Sequence, residues 1–208
     1  MAKITFKING KQYEVDGEFG PDVSLNEYIR NVAELRGTKA MCHEGGCGAC
    51  VVAVRAAFPP TYEVKLISVN SCLVSVLSCQ GWDIITVEGI GSKMTNYHDI
   101  QTRLAKFNGT QCGYCTPGWV MNMFSIYESK KNNLTMKEIE NSFGSNICRC
   151  TGYRPIADAF KTFANNVDEN LLNKLIDLED LPTVKCDRKC SKNCIHKNGH
   201  NYDESSKT

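Results

Sequence analysis

Cysteine spacing constrains this chain more tightly than any other feature. Cys42, Cys47 and Cys50 lie in MCHEGGCGAC with the spacing C-x4-C-x2-C, and Cys72 follows after 21 intervening residues. Farther on, Cys112 and Cys115 in QCGYCTPG are separated from Cys148 and Cys150 in NICRCTGYRP by 32 residues. Twelve cysteines in 208 residues imply either a disulfide framework or thiols that bind metal. The N-terminal string MAKITFKING has no apolar core of signal-peptide length, and no stretch approaches the ~18 apolar residues of a membrane span. The expectation is a soluble, cytoplasmic protein with reduced thiols available as metal ligands. A net charge of +1, from 24 basic and 23 acidic residues, points to neither nucleic acid nor a membrane surface as a partner.

Local patterning predicts two domains and a tail, an α+β protein overall. In the first, KITFKI alternates Ile4, Phe6 and Ile8, Asn9-Gly10 is a two-residue hairpin turn, and KQYEV returns. SLNEYIRNVAEL reads as a helix with capping-box spacing between Ser24 and Glu27. CVVAVR, VKLISV and DIITVE are further strands, and this α+β domain spans 1–88. In the second domain, 89–165, four short helices are expected. Ile100, Leu104 and Phe107 mark the first, stopped by Gly109. Thr116-Pro117 caps and opens the second, Thr135 and Glu138 box the third, and Pro155 opens the fourth, carrying Ile156, Phe160 and Phe163. Residues 166–208 turn polar without periodicity and are expected to be a disordered linker or tail.

The first constellation has the spacing of a plant-type [2Fe–2S] site, three close thiolates and a distant fourth. Two ferric ions, two sulfides and four thiolates make a dianion, which needs inward-pointing N–H groups around it. Gly45, Gly46 and Gly48 let the loop curl to supply them. A structural zinc site is the alternative, although zinc usually takes C-x2–4-C pairs. The second constellation is open to iron–sulfur, zinc or thiol–disulfide chemistry from spacing alone. Cys148 and Cys150, two apart, can share a centre only on an irregular turn. Both pairs fall at predicted helix starts, where the positive end of the dipole suits thiolates.

The ordered strings EGGCGAC, NSCL, VEGIGS, QCGYCTPG and NICRCTGYRP closely resemble the iron–sulfur portion of the xanthine dehydrogenase/aldehyde oxidase family of molybdenum hydroxylases, over roughly residues 1–165. The wording MCHEGGCGAC inclines towards the aldehyde oxidase branch. The resemblance implies a β-grasp ferredoxin-like domain followed by an all-α four-helix domain, each with one [2Fe–2S] cluster. It implies Cys42, Cys47, Cys50 and Cys72 as ligands of the cluster nearer FAD, and Cys112, Cys115, Cys148 and Cys150 as ligands of the cluster nearer a molybdenum–molybdopterin centre. Gln111 would contact the pterin, and Cys150 would lie beside it. The partners implied are FAD-binding and molybdopterin-binding domains or subunits, in a homodimeric whole enzyme. On this chain alone the expected role is electron relay, without a complete active site.

Met41 and His43 depart from the glycines common in the family and are expected to be rim side chains. Cys79 is expected to be a buried free thiol, His98 a surface or capping residue, and Tyr114 a packing aromatic. Cys186, Cys190, Cys194, His196 and His200 crowd the tail without a recognised zinc spacing. The competing function is a zinc-stabilised interaction domain with no redox role. A disulfide-rich extracellular protein is a third, disfavoured by the N-terminus.

Overall fold

The first hairpin follows from its turn. Asn9 and Gly10 both take positive φ, 50° and 80°, the geometry that suits the right-handed twist of paired strands. They join β1 (Ile4–Ile8) to β2 (Lys11–Val15) in antiparallel register from Ile4↔Val15 to Ile8↔Lys11. The computed structural model describes residues 3–131 and 133–175. The cysteines and histidines of the predicted tail lie outside these residues.

Ser24 starts α1 (Leu25–Asn31), its hydroxyl accepting from the Glu27 amide at 3.1 Å. The helix was expected to reach Leu35 but ends sooner. Glu34 turns left-handed (φ 60°), and the Leu35 amide donates back to the Ile29 carbonyl at 2.9 Å, so Leu35 meets the core from a turn. Three more strands, β3 (Val51–Ala57), β4 (Val64–Asn70) and β5 (Asp83–Ile85), complete a mixed sheet in the order β2-β1-β5-β3-β4. Only the β1–β5 pair is parallel. The last strand is shorter than DIITVE predicted. Thr86 leaves the ladder because its amide and hydroxyl both bond the Asn9 side chain, each at 2.9 Å.

The central strand explains an irregularity in the sequence. CVVAVR does not alternate apolar with polar because β3 is covered on both faces. Val52, Val54 and Ala56 face Leu25, Tyr28 and Ile29 of α1. Val51 and Ala53 face Met121 of the long helix α3 (Thr116–Lys130).

The remaining helices are α2 (Asp99–Lys106), α4 (Met136–Asn141), α5 (Arg154–Lys161) and α6 (Glu169–Leu172). The first three of these and α3 close around Ile100, Leu104, Trp119, Met123, Ile156 and Phe160. Gly109 ends the first of them as expected, its amide donating to the Leu104 carbonyl at 2.9 Å. His98 is its N-cap, Nδ1 accepting from the Ile100 amide at 3.2 Å. The described fold runs past the expected boundary at 165. Asn166 Oδ1 accepts from the Met136 amide at 2.8 Å, and Leu171 of α6 is buried. No helix among the described residues is long and apolar enough to cross a membrane.

One cap has a pH dependence. The Lys130 ammonium, then the Thr135 amide and hydroxyl, hold the Glu138 carboxyl at about 2, below its ordinary 4.5. A carboxyl whose pKa is lowered by folding stabilises fully above the ordinary value, and that contribution disappears as pH falls through the folded value. Glu138→Ala should therefore lower the melting temperature at pH 6. The gap from wild type, followed by circular dichroism, should narrow below pH 4.5 and close near pH 2. A gap that is constant across that window would contradict the assignment.

Candidate metal centres

The β3–β4 hairpin delivers two thiols to one place. Val51 opposes Asn70 in the ladder, so Cys50, just before β3, lies beside Ser71 and Cys72, just after β4. The Ser71 hydroxyl donates to the Cys50 carbonyl at 2.6 Å and fixes that corner. The loop 40–50 carries Cys42 and Cys47 to the same corner, tied by the Asn70 side-chain amide donating to the Gly45 carbonyl at 3.1 Å.

Within this corner the thiols meet two by two. Cys42 lies against Cys47 and Cys50 against Cys72, and the Cys50 thiol also feels the charge of Cys47. Amide donors converge as the glycines predicted. The N–H groups of Glu44, Cys47 and Gly46 point at the Cys42 sulfur and bring that thiol down to about 7, the Glu44 amide contributing most. The Ala49 amide lies 3.5 Å from the Cys47 sulfur. Gly45 and Gly48 take left-handed φ, 77° and 70°, whereas Gly46 does not; its part is to donate. His43 also takes positive φ, 58°, which explains why glycine suits that position. Its side chain is exposed and bonds no sulfur among the described residues; Met41 is exposed as well.

The helical half builds a second corner from two loops. Cys112 and Cys115 lie between α2 and α3, with Cys115 as the N-cap of α3 where Thr116 had been expected. Cys148 and Cys150 lie on an irregular turn between α4 and α5, which is what two thiols two residues apart require. The pairing crosses the motifs. Cys115 lies against Cys148 and Cys112 against Cys150, with charge contacts from Cys115 to Cys112 and from Cys150 to Cys148. Cys112 and Cys150 are exposed, as is Gln111 beside them, whereas Cys148 is buried.

Burial disfavours a bare thiolate at both corners. Burial pushes the Cys50 and Cys115 thiols up to about 12 each, so neither ionises without compensating positive charge nearby. A metal bound at each corner would supply that charge, since ligation requires the thiolate. Cys148 stands lower than an ordinary thiol. Burial would raise it, but the Thr151 hydroxyl and amide, the Cys150 amide and Cys115 outweigh burial together. Among the described residues no three His, Cys, Asp or Glu side chains converge as a site for a single ion. Two thiols on each side of a corner suit a core of two irons, with two protein ligands per iron.

The two corners are joined directly. The Ile147 amide, next to Cys148, donates to the Cys47 carbonyl at 3.0 Å, and Asn146 Nδ2 reaches the Gly48 carbonyl at 3.4 Å. Asn146 is held in turn by Asn122 Nδ2 at 2.7 Å, and Asn122 Oδ1 accepts from Ser68 at 3.1 Å. Tyr114 was expected to pack; it is exposed, and its hydroxyl donates to the Ala40 carbonyl. Cys79 is the expected buried thiol, packed in the sheet-side core and pushed up to about 12 by burial.

Known proteins show the same two-part organisation. The family described as "2Fe-2S iron-sulfur cluster binding domain" matches residues 6–81, and that described as "[2Fe-2S] binding domain" matches residues 86–161. A probable aldehyde oxidase 4 of Oryza sativa subsp. japonica is 43% identical over 180 residues, covering 81% of this chain and 22% of its own length. A xanthine dehydrogenase of Calliphora vicina is 46% identical over 163 residues, covering 78% of this chain and 12% of its own. The chain belongs to the xanthine dehydrogenase/aldehyde oxidase family.

It is the iron–sulfur, electron-transfer portion of that oxidoreductase family and carries two [2Fe–2S] binding domains. Solved structures agree. The aldehyde oxidoreductase of Desulfovibrio desulfuricans ATCC 27774 superposes with a TM-score of 0.66 at 26% identity, over 78% of this chain and 17% of that one. Quinoline 2-oxidoreductase of Pseudomonas putida 86 gives 0.64 at 28% identity, over 84% of this chain and 95% of the matched chain. The matched solved chains thus include a much longer one and one of about this extent. Its two branches match at 43% and 46% identity, so identity does not select the aldehyde oxidase branch over the other. Sequence reasoning had not singled out Asn70, Asn122, Asn146, Thr151 or Tyr153 around the two corners. An asparagine inside the apolar run WVMNMF was the one available signal, since a buried amide demands partners.

Proposed function

We propose that this chain relays single electrons between a molybdopterin-bearing and an FAD-bearing domain or subunit, its helical half facing the first and its sheet half the second. In this reading residues 1–88 are a β-grasp ferredoxin-like domain, 89–165 an all-α four-helix domain, and 166–208 a linker or tail, in a cytoplasmic and homodimeric enzyme. Cys42, Cys47, Cys50 and Cys72 hold one [2Fe–2S] cluster, and Cys112, Cys115, Cys148 and Cys150 the other. Each cluster, when bound, is a one-electron carrier.

The observation that carries the proposal is the meeting of eight thiols as two pairs of pairs. The residues of the chain do the rest. Amides around Cys42 neutralise thiolate charge, and Thr151 does so at Cys148. The bond from the Ile147 amide to the Cys47 carbonyl connects the two ligand loops through covalent bonds and one hydrogen bond. Exposure of Gln111, Cys112 and Cys150 leaves an accessible face against which the pterin domain would dock, with Gln111 and Cys150 at the pterin.

Metal and sulfide analysis of the purified, brown protein tests this. About four irons and about four acid-labile sulfides per chain are expected, with two distinguishable paramagnetic centres on reduction. Colourless protein that binds zinc alone would replace the relay with a zinc-stabilised interaction domain.

A further inference from the structure

Three hydrogen bonds close the Cys148 turn into a ring. The Cys148 amide donates to the Tyr153 hydroxyl oxygen at 3.2 Å, the Tyr153 amide donates to Thr151 Oγ1 at 3.2 Å, and Thr151 Oγ1 lies 3.1 Å from the Cys148 sulfur. An iron-bound sulfur carries no proton and can only accept. The Tyr153 amide already occupies one acceptor position on the Thr151 oxygen. The hydroxyl proton therefore points at the sulfur. Holding this ring requires left-handed backbone at both Gly152 and Tyr153, φ 68° each. For a tyrosine that conformation is unfavourable, and it is sustained here by its hydroxyl bond and by its ring against Trp119 at 6.1 Å. Among the described residues no other sulfur of the eight takes a side-chain hydroxyl; the contacts of Cys150 and Cys115 are with other cysteines and amides.

We infer that Thr151 sets the reduction potential of the helical-half cluster by donating its hydroxyl hydrogen bond to the Cys148 sulfur. One-electron reduction adds negative charge to the core, and a donor aimed at a ligand sulfur stabilises the more negative state. This inference rests on the proposed relay function.

Potentiometric titration of the iron-loaded protein, followed by electron paramagnetic resonance, separates the two claims. Two [2Fe–2S] signals in the wild type test the relay itself. Thr151→Val keeps the shape and removes the donor. It should leave the iron content and one midpoint unchanged and make the other cluster about tenfold harder to reduce, a midpoint about 59 mV lower for one electron. Thr151→Ser should hold the wild-type midpoint. An unchanged midpoint in the valine variant, an equal drop in the serine variant, or a valine variant that loads no second cluster would each reduce Thr151 to a structural residue and overturn the inference.

Discussion

Cys47→Ser is expected to halve the iron of the protein, from about four atoms per chain to about two. Cys47 is buried, bonds the Cys42 sulfur, and receives the Ala49 amide. Serine keeps the size but has a hydroxyl far harder to ionise than a thiol, so one iron loses an anionic ligand in a corner built around one. The helical-half thiols come from different loops and keep their own pairs, so the remaining cluster should keep its own g values and lose only the magnetic coupling to its neighbour. Cys115→Ser should do the converse and leave the sheet-half signal. Cys79→Ser is the control. Its thiol lies 3.6 Å from the Ser75 carbonyl, an acceptor that a serine hydroxyl also reaches, and the variant should retain about four irons. Full iron in Cys47→Ser would show that the four sulfurs of the first corner do not act together.

Gly118→Ala should weaken the joint between the halves while leaving both clusters loaded. Gly118, in the first turn of α3, lies so close to the first ligand loop that an added Cβ would be 2.0 Å from the Gly48 carbonyl oxygen and 3.1 Å from the Ala49 Cα. Both are backbone atoms, which cannot rotate away. Overpacking of this severity costs about 3 kcal/mol, while the better helix propensity of alanine offsets about 1 kcal/mol. The steric effect prevails by about 2 kcal/mol. For a domain of this size that corresponds to a fall in melting temperature of roughly 4–8 °C. A displaced Gly48 carbonyl also loosens the Asn146 contact and the Ile147–Cys47 bond. Magnetic coupling between the two reduced clusters should therefore weaken at constant iron content. Unchanged coupling together with an unchanged melting temperature would mean that the loop yields freely.

The grouping of the cysteines, the hairpin turn and the helix starts were legible in the sequence because each is a local matter. Positive φ at Asn9-Gly10, caps at Ser24, His98 and Thr135, and a glycine stop at Gly109 depend on residues a few positions apart. Thiol spacing reported which cysteines belong together because loop length limits reach. It did not report which sulfur meets which. That pairing depends on where β3 places Cys50 against β4 and on how the two helical loops face each other, so C-x2-C and C-x-C neighbours end in opposite pairs. The bridge from Ile147 to Cys47 and the Asn122–Asn146 brace likewise join residues distant in the chain. The sequence by itself determined which cysteines could share a centre. Only the tertiary structure decided how its two centres are wired together, because hydrogen bonds and close backbone approaches between remote segments exist only once both halves have packed.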